Sequence, residues 1–211
     1  MRSLWFAAVL AGALCGCITR HELRWSNFEL VAPDAASNRA SLGLFETVSG
    51  DWKVVDGADF PSPPQAVQQD RVGVKADFNL LLVTGATAAA GTLSVRLRAL
   101  DGEIDQGGGL VWRARSSSDY YLARWNPLEK NVRAYVVKNG ERTMLASEGV
   151  ELGEGWHTIA VTFDDDRIEV ALDGQVKLAF DHAAEFPPAR FGMWTKADAR
   201  TQFDDLRWQD G

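Results

Sequence analysis

The sequence predicts an all-β domain, a sandwich of two antiparallel sheets that begins near residue 43 and runs to residue 211. Short runs rich in Val, Ile, Leu and aromatic residues recur throughout this region, separated by Gly, Asn, Asp and Pro. Several runs alternate apolar and polar residues, which is the pattern of a strand with one buried face. No run after Ser41 has the helical apolar period of about 3.6 residues, so an α/β fold is disfavoured.

Strands are predicted wherever these runs fall, and their spacing is typical of a sandwich. In the run Arg167–Leu172, the side chains of Ile168, Val170 and Leu172 share one face, which is therefore assigned to the core. The predicted strands are Asp51–Val55, Asp77–Val83, Thr92–Ala99, Gly109–Ala114, Tyr120–Trp125, Val132–Val137, Arg142–Ala146, Trp156–Phe163, Arg167–Leu172, Gln175–Phe180, Arg190–Trp194 and Thr201–Trp208.

Two dipeptides predict tight hairpin turns. Asn139-Gly140 and Asp173-Gly174 each lie between two β-rich runs, and both tolerate the positive φ angles that two-residue hairpin loops require. Asp164–Asp166 is predicted to close a further hairpin. The segment from Trp156 to Phe180 is therefore expected to form a three-stranded meander.

Residues 1–16 are predicted to be a bacterial lipoprotein signal peptide. The apolar run Leu4–Gly16 follows Arg2 and is shorter than the roughly 20 residues that a membrane-spanning helix needs. Leu14-Cys15-Gly16-Cys17 resembles the lipobox, which makes Cys17 the expected lipidation site and the first residue of the mature chain. A plain secretory signal that is cut nearby is the alternative.

Residues 17–42 are predicted to be a tether, because they show neither a strand nor a helix period. The alternative is that some of their apolar residues form a first strand on the sandwich. The expected location is outside the cytoplasm, with the chain held in the bacterial cell envelope, either periplasmic or at the cell surface. The only expected membrane contact is the N-terminal lipid.

Composition limits the classes of binding partner and the sources of stability that the chain can have. The chain of 211 residues has a formal net charge of −7 and no basic cluster, which argues against a nucleic-acid partner. Both cysteines, Cys15 and Cys17, precede the predicted domain, so its stability is expected to come from the apolar core without a disulfide. Nothing in the composition indicates an oligomeric state.

Common catalytic and metal motifs are absent from the sequence, and its three histidines are scattered. Glu103–Asp105 is comparable with the acidic strand of laminarinase-like glycosidases, but Gln106–Gly108 offers no second carboxyl, so an acidic loop is the favoured interpretation. Asp164–Asp166 is interpreted as a solvated hairpin turn, and the alternative is a site for calcium or another divalent metal, for which its carboxylates are suited ligands. No metal ligand and no cofactor is assigned.

Two arginines, Arg113 and Arg124, fall inside adjacent predicted strands, where an arginine is usually paired or faces a groove. Tyr121 and Trp125 share one strand face, and Arg124 and Asn126 share the other. Aromatic rings and forked guanidinium groups are suited to a sugar or carboxylate ligand. The alternative is an internal cluster in which arginine–carboxylate pairs hold the strands in register.

Seven short motifs follow one another along the chain, and they are Gly109–Arg113, Asp119–Arg133, Gly140–Arg142, Gly155–Thr158, Leu172–Gly174, Phe191–Asp198 and Phe203–Leu206. This series resembles the 3-keto-disaccharide hydrolase family and, more broadly, concanavalin A-like lectin/glucanase and laminin-G-like domains. The resemblance covers roughly residues 51 to 208 and implies a concanavalin A-like jelly roll. The chain resembles a divergent branch, since it lacks the Asn-Ser-Gly-type turn before Gly109.

Residue patterns and the resemblance together give one leading function and two alternatives. The leading expectation is a lipoprotein whose domain binds carbohydrate. The first alternative is a hydrolase or lyase of 3-keto-glycosides, which needs a general base, with Glu129 and Asp198 as candidates, and a group that stabilises an enolate. The second is a protein-interaction module of the cell envelope. The ligand groove implied by the resemblance lies near Arg113, Tyr121, Arg124, Asn126, Glu129, Asn131, Trp194 and Lys196.

Overall fold

The computed structural model describes residues 22–25, 44–70 and 72–211. Within these residues every regular element is a β-strand, and no helix there could span a membrane. The strands are β1 (Glu22–Trp25), β2 (Phe45–Ser49), β3 (Trp52–Asp56), β4 (Gln65–Gln69), β5 (Phe78–Val83), β6 (Gly91–Asp101), β7 (Gly108–Ala114), β8 (Tyr120–Asn126), β9 (Asn131–Lys138), β10 (Glu141–Gly149), β11 (His157–Phe163), β12 (Arg167–Leu172), β13 (Gln175–Asp181), β14 (Arg190–Lys196) and β15 (Arg200–Asp210).

The strands form two antiparallel sheets. The first sheet has the order β13-β12-β11-β6-β15-β4-β3, and β1 pairs with β15 beside this path. The second sheet has the order β10-β9-β8-β7-β14-β5-β2. The chain crosses repeatedly between the sheets, as in a jelly roll, so the predicted all-β sandwich is confirmed.

The core lies between the sheets and follows the predicted alternation. On β11 the side chains of Ile159 and Val161 are fully buried, whereas Thr162 between Val161 and Phe163 is exposed. Trp112 of the second sheet stacks on Phe163 of the first, with ring centroids 5.5 Å apart. Such aromatic pairs contribute about 0.5–1.5 kcal/mol beyond the area that they bury.

Both predicted hairpin turns are confirmed. Asn139 and Gly140 have φ angles of 53° and 81°, and Asp173-Gly174 has 48° and 77°. Positive φ at both central residues is the geometry whose twist matches that of the flanking strands. Pairing of β12 with both β11 and β13 confirms the predicted meander.

Three strands lie outside the predicted set. β1 falls within the segment predicted as a tether, and it corresponds to the alternative of a first strand on the sandwich. β2 and β4 also form sheet strands. The sequence of β4 is polar, but Gln68 can be buried there because its Oε1 accepts a bond from Gln202 Nε2 at 2.8 Å. The predicted signal peptide and Cys17 lie outside the described residues.

The outer face of the second sheet is also buried, and it is called the concave face below. Arg142 shows how strongly this sheet curves: its Cζ lies 4.4 Å from the Tyr135 ring centroid on β9 and 5.5 Å from that of Phe78 on β5. In a flat sheet β10 and β5 would be roughly 24 Å apart at about 4.8 Å per strand. The buried apolar residues of the concave face are Leu80, Leu82, Val111, Tyr120, Leu122, Tyr135, Val137 and Trp194.

Candidate functional site

A cluster of polar and charged side chains lies at one end of the concave face. Strand register places it there, because Arg124 is paired with Arg133 and Asn126 with Asn131 across β8 and β9, so each pair shares a face. We call it the polar cluster. Its members are Asp105, Arg124, Asn126, Glu129, Asn131, Arg133 and Lys196.

Glu129 is the most exposed member of the polar cluster. Its side chain is 41% exposed, and its Oε2 accepts bonds from Arg124 Nη2 at 2.7 Å and from Arg133 Nη1 at 2.9 Å. Partial burial raises the pKa of Glu129, but the bond from Arg124 and its charge outweigh burial, so the pKa is lowered. Glu129 is therefore an ionised carboxylate fixed by two guanidinium groups.

The turn that carries Glu129 is itself held by side chains. The Glu129 N–H donates to Asn126 Oδ1 at 2.8 Å, and Asn131 Nδ2 donates to the Glu129 carbonyl at 2.9 Å. Lys130 at the turn has a φ of 52°. Because both asparagines are buried, the turn is preorganised before any ligand arrives.

A buried ion pair supports the cluster from below. Lys196 Nζ lies 3.0 Å from Asp105 Oδ2, and Asn126 Nδ2 donates to the other Asp105 oxygen at 2.6 Å. The side chains of Lys196 and Asp105 are only 8% and 4% exposed. Removing one partner of such a pair would leave the other charge buried and uncompensated.

Trp194 lies on the concave face with the polar cluster, but it is not open to solvent. The residue is 1% exposed, and its ring centroid is 5.6 Å from that of Phe78. Neither its Nε1 nor the neighbouring Tyr120 hydroxyl has a partner that meets hydrogen-bond geometry. Burial raises the pKa of Tyr120, so this hydroxyl remains neutral.

Arg113 and Tyr121, which were predicted to line the same groove, lie elsewhere. Arg113 has a φ of 47°, and its guanidinium donates to the Phe186 carbonyl at 2.6 Å and to the Ala89 carbonyl at 2.8 Å. Tyr121 points between the sheets, where its hydroxyl accepts the Glu185 N–H at 2.8 Å. Both residues tie loops to the sandwich, and the structure does not bring them to the polar cluster.

Asp198, a candidate base, caps a loop. Its carboxylate accepts the backbone N–H groups of Glu103, Ile104 and Asp105 at 2.8–3.1 Å. Burial raises the pKa of Asp198, but these backbone bonds outweigh it and the pKa is lowered. Asp198 therefore positions the loop that carries Asp105.

The remaining acidic motifs have structural partners. Asp164 accepts the backbone N–H groups of Asp166 and Arg167, and Asp165 lies 2.6 Å from Arg113. Asp204 accepts the Ser62 N–H at 2.7 Å, and burial raises its pKa. Among the residues that the structure describes, no three His, Cys, Asp or Glu side chains are grouped as a metal site.

Sequence reasoning missed Asp105 and Arg133 as members of the cluster. Asp105 was interpreted as part of an acidic loop, and its partner Lys196 is 91 residues away along the chain. The available signal for Arg133 was its position one strand from Arg124, on the same face. Register between predicted strands would have been needed to use that signal.

The strand topology defines the class of fold, a concanavalin A- or galectin-like jelly roll. Three solved structures share it. Carbohydrate-binding module CBM66 from Bacillus subtilis has a TM-score of 0.65 and 19% identity over 78% of this chain and 95% of its own. The laminarinase catalytic domain of Thermotoga maritima MSB8 has a TM-score of 0.57 and 11% identity over 91% and 98%.

The third is the carbohydrate esterase vb_24B_21 of the Shiga toxin-encoding bacteriophage phi24B, with a TM-score of 0.53 and 14% identity over 79% of this chain and 90% of its own. No protein-family model and no curated protein matches the sequence. At these identities the comparisons establish the fold, while function has to be argued from the site.

Proposed function

We propose that this domain binds carbohydrate without cleaving it, through the solvent-exposed edge of the polar cluster. One observation carries the proposal: Glu129 and Arg133 form a fixed, partly exposed carboxylate–guanidinium pair above buried Arg124. The side chain of Arg133 is 31% exposed. A sugar presents neighbouring hydroxyl groups that donate and accept at once, and a carboxylate beside a guanidinium matches that pattern.

Preorganisation favours a binding role. The asparagines hold the turn, Arg124 holds the carboxylate, and the buried Lys196–Asp105 pair supports the strand ends. Binding therefore requires little ordering of side chains, which lowers its entropic cost. The solved neighbours include a carbohydrate-binding module and a laminarinase domain, and this supports the choice of ligand class.

The residues nominated as bases give little support to turnover. A general base works best with a pKa near the operating pH, whereas the pKa values of both Glu129 and Asp198 are lowered. Hydrolysis or lysis of 3-keto-glycosides stays a prediction that rests on the sequence resemblance. Incubating the full chain with 3-keto-glucosides, with and without calcium or manganese, tests it, and product release would replace the binding proposal.

A glycan array tests the proposal directly, because it measures binding of the chain to many glycans. The full chain and a Glu129→Gln variant are applied to neutral and acidic glycans, with Glu148→Gln as the matched control, since Glu148 is an exposed residue of neighbouring β10. We expect affinity to fall by about tenfold in Glu129→Gln, because a charge-assisted bond contributes about 1.5–3 kcal/mol. Glu148→Gln should bind as the original chain does.

Equal loss in both variants, or none in either, would contradict the assignment of the site. If the original chain binds no glycan at all, the carbohydrate proposal fails and a protein-interaction module of the cell envelope takes its place.

The cellular location of the chain is part of the same proposal. We infer an exported lipoprotein anchored through Cys17, since Leu14-Cys15-Gly16-Cys17 resembles a lipobox. Metabolic labelling with a fatty-acid probe in a bacterial host should mark the chain, and Cys17→Ser should abolish the label. Labelling that survives this substitution would rule out the anchor.

A further inference from the structure

A cavity of about 610 Å³ opens at the same end of the sandwich as the polar cluster, but between the two sheets. Arg98 and Leu100 line it from β6, Trp125 lines it from β8, and Gln106 and the loop 152–155 complete the wall. Its volume lies within the roughly 300–1,000 Å³ that small-molecule sites occupy. None of the residues of the polar cluster lines it.

Arg98 is a prearranged donor in this wall. Its Nε and Nη2 donate to Gln202 Oε1 at 3.0 and 2.6 Å, and its Nη1 donates to Asp59 at 2.7 Å. Its Cζ lies 5.0 Å from the Trp156 ring. A guanidinium has five N–H donors, so these three bonds leave two for a ligand. The side chain is 23% exposed, which keeps it within reach.

Trp125 forms a buried part of the cavity wall. It is 1% exposed, and its indole Nε1 is buried without an acceptor. Its ring centroid is 4.8 Å from His157, which is fixed in turn by Asp173 at 2.7 Å and by the Gly153 carbonyl at 2.9 Å. Because the indole is buried, a sugar ring in the cavity would lie against this wall and change the environment of the indole N–H without bonding to it.

The lining indicates the chemistry of the ligand. It combines one cation, Arg98, with one carboxylate, Glu154, so it favours no net charge. It also combines polar edges with apolar surfaces from Leu100, Pro127 and Trp125. A neutral, ring-shaped polyol has this mixture of hydroxyl groups and C–H faces.

We infer that this cavity is a second subsite, which holds one neutral sugar ring of the glycan bound at Glu129. The inference rests on the proposed function and extends it. Trp125 and Asn126 are successive residues of β8, so the cavity and the polar cluster lie on opposite sides of one strand end. A further depression of about 410 Å³, lined by Pro127, Lys130 and Gly153 among others, lies between them.

A glycan can therefore extend from the cavity over the β8–β9 turn to Glu129. The smallest probe that reaches both subsites is a short oligosaccharide.

Gly153→Trp blocks the cavity with little risk to the fold. A Cβ atom built at Gly153 has no heavy atom within 4 Å, and the φ angle there is outside the positive region. The matched control is Ala179→Trp, since Ala179 is an exposed residue of β13 and lines neither depression. Thermal unfolding of both variants shows whether either substitution disturbs the sandwich.

The test is a titration of the full chain, labelled with nitrogen-15 at tryptophan and arginine, with cellotetraose, laminaritetraose and maltotetraose. We expect the Trp125 indole N–H and the Arg98 Nε–H signals to shift, together with that of Arg133. Gly153→Trp should weaken the affinity by about tenfold, or about 1.4 kcal/mol, whereas Ala179→Trp should stay within about twofold.

Shifts at Arg133 without shifts at Trp125, or full affinity in Gly153→Trp, would overturn the second subsite and leave the proposed function standing. Shifts at Trp125 that Glu129→Gln does not weaken would keep the cavity as a sugar site and overturn the site at Glu129. No response at either place would overturn both.

Discussion

Arg113 and Arg124 lie on adjacent strands and are almost equally buried, at 2% and 1% exposure, yet their guanidinium groups bond to different kinds of partner. Arg113 donates to two backbone carbonyls and to Asp165. Arg124 donates to two side chains, Glu129 and Asn131. The comparison shows that burial alone does not reveal the role of an arginine. Its hydrogen-bond partners distinguish an arginine that holds loops in place from one that orients a side chain of the candidate site.

The two carboxylates sharpen the contrast. Asp165 is 82% exposed and has Arg113 as its cationic partner, whereas Glu129 is 41% exposed and lies between Arg124 and Arg133. Of these two carboxylates, only Glu129 is held by more than one guanidinium group. At one end of the sheet Arg113 bonds mainly to backbone carbonyls, whereas at the other end Glu129 is oriented by two guanidinium groups.

The largest expected effect concerns the buried support of the site end. Lys196→Met leaves Asp105 buried without its cation and should lower the free energy of unfolding by about 3–5 kcal/mol. Urea unfolding followed by circular dichroism measures the loss.

The double variant Lys196→Met/Asp105→Asn is the control, because the amide that replaces the carboxylate keeps an acceptor for Asn126 while removing the unpaired charge. It should be more stable than Lys196→Met alone. If the single variant is as stable as the original chain, the pair does not support the cluster.

The next effect separates the two arginines. Arg113→Ala leaves the Phe186 and Ala89 carbonyls without their donor and should cost about 2–4 kcal/mol of stability. Glycan affinity of the folded variant should be unchanged, because Arg113 is not part of the polar cluster. Calorimetric unfolding and a binding titration measure the two quantities separately.

Asp165→Asn serves as the control for this prediction. It should cost less than about 1 kcal/mol, since a pair with so exposed a carboxylate is weak. A drop in glycan affinity for Arg113→Ala that equals that of Glu129→Gln would break the distinction between the two ends of the sheet.

The smallest effect is a pH dependence. Because the pKa of Glu129 is lowered on folding, its contribution to stability is present above the unfolded pKa of about 4.3 and is lost as the pH falls through the folded value. The exposed side chain keeps this contribution below about 1 kcal/mol. Unfolding of the original chain and of Glu129→Gln between about pH 3 and pH 7 isolates it.

Other carboxylates affect both proteins equally, including Asp204, whose raised pKa acts in the opposite direction. The difference between the two proteins should therefore shrink as the pH falls. A difference that does not change with pH would show that the two guanidinium groups do not perturb Glu129.

Local patterns predicted much of this architecture. Asn139-Gly140 indicated its hairpin because its φ preference is a property of the dipeptide itself. Alternation along β8 placed Arg124 and Asn126 on one face and Tyr121 on the other, and the core confirms this. The strand β4 escaped prediction because its glutamines are satisfied by residues far along the chain.

The candidate site was predictable in part for the same reason. Arg124, Asn126, Glu129 and Asn131 are near one another in sequence and were nominated together. Arg113 departs from strand alternation through its positive φ, which no composition pattern indicates. Asp105 depends on Lys196 and therefore on the tertiary fold.

The Arg142 contact with Tyr135 and Phe78 has a consequence for stoichiometry. Because Arg142 on the edge strand β10 reaches over the buried concave face to Phe78 on β5, a long polymer would have to displace this contact to lie lengthwise along the face. Under the proposed function, the domain would therefore engage the tips and branches of a polysaccharide. At saturation, the number of protein molecules bound per polysaccharide would then follow the number of chain ends. Debranching or end-capping the polysaccharide would change that number even if the total mass of polysaccharide stayed the same.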